Sequence, residues 1–419
     1  MSEERTVPVG TSLRQSIPAG GPYPSDPDER RLARISIHEL ERRWTLVREH
    51  IKERSIEALI VQNARDFTGG YVKWFTDIPA YYPRTVVFHA SDLMTVVEHG
   101  AAGRTRTLSG NDSDNPGVGE ILTTSAFPSI HYTQTYDAEV VADVLRKRGY
   151  RKIGLVGAAA MPHGFVAYLE RTHSGKAEIT DETDFIDRAK AVKSEEEIAL
   201  IKRAAAMQDA VFSNVLAHIK PGMRDSEVAA LAQYQGQLLG SEQGIFLGMS
   251  AKVGQPAFFA QRHFQGRMLR PGDHMSLLVE DNGPGGFYAE LSRTIVLGKA
   301  SQELIDGFEI VKEAQQHTLQ RFKPGTLCRD IFTVHNEFMK QRGVPTESRV
   351  YSHSQGYDLI ERPLVRSDEG MALEKNMNMS VHPAYATTSM FVHICDNYLV
   401  EENGASECLH KMSKKIFEL

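Results

Sequence analysis

Two stretches decide the fold: Lys220-Pro221-Gly222-Met223-Arg224-Asp225 and Lys323-Pro324-Gly325-Thr326-Leu327-Cys328-Arg329-Asp330. Each Lys-Pro-Gly ends a long amphipathic pattern, because proline cannot continue a helix and glycine tolerates the exit geometry. Each Arg-Asp pair opens a second helix, and strands follow. Two helices and then strands, met twice in the same order, read as a duplicated helix–helix–sheet unit. The repeat extends into the strands, where Leu269-Arg270-Pro271-Gly272-Asp273-His274-Met275-Ser276 aligns with Leu373-Glu374-Lys375-Asn376-Met377-Asn378-Met379-Ser380. Helix pairs in both units can cover one face of a curved antiparallel sheet. The other face is left as a cleft along the pseudo-symmetry axis, and chemistry is expected there.

Working outward, Ser194-Glu195-Glu196-Glu197 has the form of a capping box and opens a helix reaching about His218. A helix over 226–239 and strands at 244–249, 275–280 and 286–297 complete the first unit. The second unit has helices over 302–322 and 329–341, then strands at 350–354, 377–382 and 391–400. Upstream, Ser36-Ile37-His38-Glu39 is another capping box, and Leu40, Trp44, Val47 and Ile51 form one apolar stripe. Apolar runs at 58–61, 85–88, 94–97 and 152–156, with helices near 138–148 and 164–171, describe an α/β domain. The expected organisation is α+β with two domains, 35–187 and 188–419, preceded by a flexible arm over 1–34 rich in Pro and Gly.

Composition bounds the function. Hydrophobic residues at 41% and charged residues at 24% are those of an ordinary globular protein, and a formal net charge of −6 argues against a nucleic-acid binder. No apolar run reaches the ~18 residues that a membrane helix needs. Three cysteines, Cys328, Cys395 and Cys408, are too few for a disulfide framework. With no hydrophobic signal core in the polar N-terminus, the expected compartment is the reducing cytoplasm.

Four segments carry a resemblance over 188–419: Pro271-Gly272-Asp273, Gly286 through Thr294, Tyr351-Ser352-His353-Ser354-Gln355-Gly356, and Asp396 through Gly404. Together they resemble the creatinase/aminopeptidase P/methionine aminopeptidase family and its pita-bread fold. The family's peptidases hold two divalent metals with two Asp, one His and two Glu. Placed on this chain, those ligands fall at about Val279 (with Glu280 and Asp281 just beyond), Glu290, His353, His382 and Cys395. Two neighbouring dications need bridging carboxylates, so this set implies no dinuclear centre. The pattern is closer to creatinase, the metal-free member. The cofactor expectation is therefore none, with a single zinc or iron ion as the alternative.

That likeness implies a creatinase-like hydrolase of a non-peptide C–N bond in a small carboxylate-bearing molecule. His353 is the expected general acid/base, with His382 and Glu361 positioning water or polarising the carbonyl. By resemblance, Arg84 of a second subunit clamps the carboxylate, and Tyr82 and Trp74 wall the apolar side, implying a homodimer. Glu290, Cys395, Phe259 and His263 are the remaining expected substrate contacts. Rival readings are a lyase or decarboxylase, a mononuclear zinc enzyme using His353, His382, Cys395 and Glu290, an Xaa-Pro peptidase, and a catalytically dead binding protein.

Overall fold

A computed structural model describes residues 33–63, 70–78, 84–112, 114–126, 135–260 and 262–419. The expected arm over 1–34 therefore lies almost wholly outside the described residues, as does Tyr82. The fold is α+β with two domains.

The N-terminal domain is built on a mixed seven-stranded sheet. Its strands are β1 (Ala58–Asn63), β2 (Arg84–His89), β3 (Met94–Gly100), β4 (Thr105–Thr107), β5 (Val118–Ser125), β6 (Lys152–Val156) and β7 (Glu178–Asp181), in spatial order β4-β5-β3-β2-β1-β6-β7. Helices α1 (Ile37–Glu53), α2 (Tyr71–Thr76), α3 (Tyr136–Arg148), α4 (His163–His173) and α5 (Thr183–Ala191) accompany it. The apolar stripe of α1 is buried as the spacing predicts, but only half of its capping box forms. Ser36 Oγ accepts from Glu39 N, whereas the Glu39 carboxylate turns to Arg42 and Arg43. Arg43 continues to Glu197 at 2.8 Å, so a buried ion pair ties the two domains together.

In the C-terminal domain the repeat is physical. Helices α6 (Glu195–His218) and α7 (Asp225–Leu238) back a sheet in which β8 (Gly244–Ala251), β9 (His274–Asn282) and β10 (Tyr288–Val296) pair antiparallel. Helices α8 (Gln302–Leu319) and α9 (Cys328–Gln341) accompany the second set. Its strands are β11 (Ser352–Ser354), β12 (Glu361–Val365), β13 (Asn378–Val381), β14 (Ala384–Ala386), β15 (Phe391–His393), β16 (Asp396–Glu401) and β17 (Gly404–Ala405). A last short strand, β18 (Phe417–Glu418), returns to pair with β10.

The two Lys-Pro-Gly stops are superposable in their bonding. Gly222 N donates to Leu269 O and Gly325 N to Leu373 O, both at 2.9 Å, with φ of 91° and 86°. Those left-handed angles are why glycine stands there. Gln208 and Gln315, equally far from their capping serines Ser194 and Ser301, each reach under their own sheet. Gln208 Nε2 donates to Asp281 Oδ1 and Gln315 Nε2 to the carbonyl of Val381, both at 3.0 Å.

One expected strand, 391–400, is broken. Between β15 and β16 the chain crosses to the first unit, where Cys395 makes an isolated bridge with Ser292. Among the described residues, no helix is long and apolar enough to cross a membrane.

Candidate metal and substrate site

Strand alternation sets which residues face the cleft. On β9 and β10, Leu277, Val279, Leu291 and Ile295 pack with Met207, Val211 and Val228 of the helices. Residues of opposite parity face away from the helices. Glu280 and Glu290 are of that parity, and they are direct cross-strand partners. The carboxylate nearest the expected first Asp position is thus Glu280, one residue beyond Val279, whose side chain belongs to the core. Sequence reasoning had Glu280 in view but gave it no role. The parity of the apolar positions was the signal that could have chosen it.

The second unit supplies the nitrogen donors. His353 Nδ1 donates to Ser354 O at 3.1 Å, which leaves Nε2 as the ring nitrogen available to a metal. Nε2 lies 3.6 Å from Glu290 Oε2. His382 is the third member: donor atoms of Glu290, His353 and His382 all lie within 4.8 Å of one another, and all three residues are buried. Burial, with His353 and His393 beside it, pushes the His382 pKa well below the ordinary value and keeps the ring neutral.

A polar network holds these groups in place. Ser380 Oγ donates to Glu290 Oε2 at 2.5 Å, and Glu290 N donates to Asn397 Oδ1 at 2.7 Å. Asn397 Nδ2 donates to Gln355 Oε1, and Gln355 Nε2 donates across the axis to Glu280 Oε1 at 2.8 Å. Burial and then the Glu290 charge raise the Glu280 pKa well above normal. Cys395 Sγ lies 3.1 Å from Ser380 Oγ, and its thiol pKa is raised well above normal, first by burial and then by Glu290. It is a protonated neighbour of the site rather than a thiolate.

The donor chemistry decides what metal arrangement fits. Two imidazoles and one carboxylate are a common three-ligand set for a catalytic divalent ion. The carbonyl bond to His353 Nδ1 is the usual outer support of such a ligand. A second ion beside Glu290 would meet a thiol and an imidazole where bridging carboxylates are needed, and Glu280 already has one oxygen engaged. The set fits one ion. A second cluster, Asp396, Cys408 and His410, is different. Asp396 is already neutralised by Arg293 at 2.6 Å and Lys414 at 3.4 Å, which makes it a structural ion pair.

Several expected site residues lie elsewhere. Glu361 does not steer a cleft water: its carboxylate is buried against Lys193 at 2.6 Å and Lys190 at 3.4 Å. Burial alone would raise its pKa, but the two ammonium groups outweigh it and hold it down to about 2. Trp74 is not a pocket wall. It is core of the N-terminal domain, with Arg43 bonded to its carbonyl and lying over its ring. His263 sits exposed on a short turn against Phe264. Arg84 lies on β2, paired with Glu98 at 3.3 Å, beside an N-terminal cavity of about 400 Å³. Phe259 does approach the site, edge-on to His393 at 4.7 Å between ring centres.

Residues 199–402 match the model of metallopeptidase family M24. This segment is an M24 domain. An Xaa-Pro dipeptidase of Pyrococcus furiosus is 27% identical over 227 residues, covering 53% of this chain and 64% of that protein. The Xaa-Pro dipeptidase of Pyrococcus horikoshii is 25% identical, covering 61% and 72%. In structure, an X-Pro aminopeptidase of Thermotoga maritima superposes with a TM-score of 0.74 at 18% identity, over 90% of this chain and 99% of that one.

These likenesses overturn two expectations. Creatinase-type cleavage of a non-peptide C–N bond gives way, because the relatives are Xaa-Pro peptidases. The expectation of no metal gives way as well, since the family is one of metallopeptidases and Glu290, His353 and His382 gather as a ligand set. Carboxylate counting ranked such a site only as an alternative, because a single imidazole, His382, stands where one of the lost glutamates would be, beside the retained His353.

Proposed function

We propose that this chain is a metal-assisted peptidase that hydrolyses short peptides at a bond next to proline. The observation that carries the reading is the buried cluster of Glu290, His353 and His382, on a fold shared with Xaa-Pro peptidases. Those three side chains would hold the divalent ion. When bound, it would polarise the scissile carbonyl and lower the pKa of a water molecule.

The remaining work falls to the protein. The carbonyl of Ser354 keeps the His353 proton on Nδ1, and Ser380 fixes the Glu290 oxygen that faces Nε2. Glu280, oriented by Gln355, is the carboxylate left to accept a hydrogen bond from the attacking water. Dry surroundings strengthen each of these contacts. A homodimeric assembly belongs to the same proposal, and so does a reducing cytoplasm, the latter supported by three cysteines that are all unpaired.

The test is a panel of Xaa-Pro and non-proline dipeptides with the purified chain, alongside metal analysis. The expected outcome is proline-dependent hydrolysis that a chelator abolishes, with His382→Ala losing both bound metal and turnover. Hydrolysis unaffected by chelator, or no hydrolysis of any dipeptide with metal supplied, would reject the reading.

A further inference from the structure

A row of aromatic rings leads from the surface to the metal-ligand set. Phe258, 42% exposed, lies 5.1 Å from Phe391 between ring centres. Phe259, half-buried, stands edge-on to Phe391 at 5.3 Å and to His393 at 4.7 Å. His393 stacks on His382 at 5.9 Å, and His382 lies 5.1 Å from His353.

Alternation explains why the row is on the cleft side. Along this segment Met390, Val392 and Ile394 pack against Leu304, Phe308 and Val311 of α8. Phe391, His393 and Cys395 therefore face the other way, toward Glu290 and Ser380. The outer members, Phe258 and Phe259, come from the connection between β8 and β9 and carry no charge. The carboxylates of the site stand on the first unit's hairpin instead.

One polar atom in this wall lacks a partner. His393 Nδ1 is buried and receives no hydrogen bond from any described residue. Burial, then the Arg349 charge, push the His393 pKa to about 3, so the ring is neutral. A buried polar atom without a partner is costly and marks a place where a ligand completes the bonding.

We infer that this row is a substrate subsite that takes an aromatic side chain, a phenol above a plain phenyl ring. It rests on the proposed peptidase reading and adds the class of residue flanking the scissile bond. The substrate ring packs against Phe259 and Phe391, and a phenol hydroxyl bonds to His393. Ring packing and one hydrogen bond each contribute about three- to tenfold in affinity.

The experiment is calorimetric titration of the full chain with the amides of L-tyrosine, L-phenylalanine and L-leucine. Wild type is expected to bind tyrosine amide about tenfold or more above leucine amide, with phenylalanine amide between them. Phe259→Ala should compress the ranking to less than about twofold. His393→Phe should keep the ring preference and lose the advantage of tyrosine over phenylalanine. Leucine amide binding as tightly as tyrosine amide, or a ranking unchanged in both variants, overturns the inference. Thermal melting checks that each variant is folded. These amides carry no proline, so a chain that ranks them as expected but cleaves no dipeptide keeps the subsite and loses the peptidase reading. A chain that cleaves dipeptides but shows no ranking does the reverse.

Discussion

The two units of the C-terminal domain share a skeleton and differ on the face that does chemistry. On the helix side they agree closely: capping serines, the buried glutamines beneath the sheets, and the glycine exits with their paired hydrogen bonds. On the cleft side the first unit offers the carboxylates Glu280 and Glu290, while the second offers His353, His382 and Cys395. The helix-facing side is constrained by packing at each repeat, so any change costs stability. The cleft-facing side is held by buried polar bonds instead, and the two units place different donors there. The starts of α7 and α9 agree less well than the rest of the helix side. Asp225 is buried and accepts from Ser250 and Gly266, whereas Asp330 is exposed.

The largest test of that contrast is a feature present only in the second unit. Glu361 on β12 joins Lys190 and Lys193, docking the segment before α6 onto the second sheet. Glu361→Gln should destabilise the protein by about 3–5 kcal/mol at neutral pH in urea unfolding, because it strands the buried Lys193 ammonium, while Lys190 keeps Asp358 at 2.5 Å. The pH dependence has a definite sign. The folded pKa lies below the ordinary 4.5, so the stabilisation is present above 4.5 and is lost as pH falls toward about 2. The difference between wild type and variant should therefore shrink over that window. A constant difference would mean that the ion pair is not its source.

Next in size are the paired glutamines. Gln208→Ala and Gln315→Ala should each cost about 2–3 kcal/mol, since each leaves buried acceptors unsatisfied. Near-equal losses would support the equivalence of the helix sides. A loss confined to one unit would break it.

Smaller still is Ser380→Ala, which removes the bond to Glu290 Oε2 and leaves the core intact. Metal affinity, read by competition with a chromophoric chelator, should fall about tenfold with little change in melting temperature. The smallest expected effects are at the helix caps. Ser194 makes the full reciprocal box with Glu197, while Ser301 only accepts from Leu304 N. Ser194→Ala should cost about 1 kcal/mol and Ser301→Ala somewhat less.

Much of the fold was legible because local rules carry it. The stop signals, the serine caps and the apolar stripes gave α6, α7 and α9 to within a residue or two of their observed ends. The short strands β4, β7 and β14 were not legible, having little apolar pattern of their own. The site was legible in part. His353, His382 and Glu290 stood out, but Glu280 needed the strand parity. Glu361 misled because a carboxylate near a cleft motif looks the same in sequence whether it faces water or two lysines.

By itself, the order of residues determined the duplicated helix–helix–sheet plan, since periodicity, capping and glycine exits act over a few neighbours. Only the tertiary structure decided that Glu290 meets two imidazoles from distant strands, and that Glu361 is spent on a salt bridge. Those outcomes depend on which groups are brought face to face and stripped of water, and contacts between segments far apart in the chain set both.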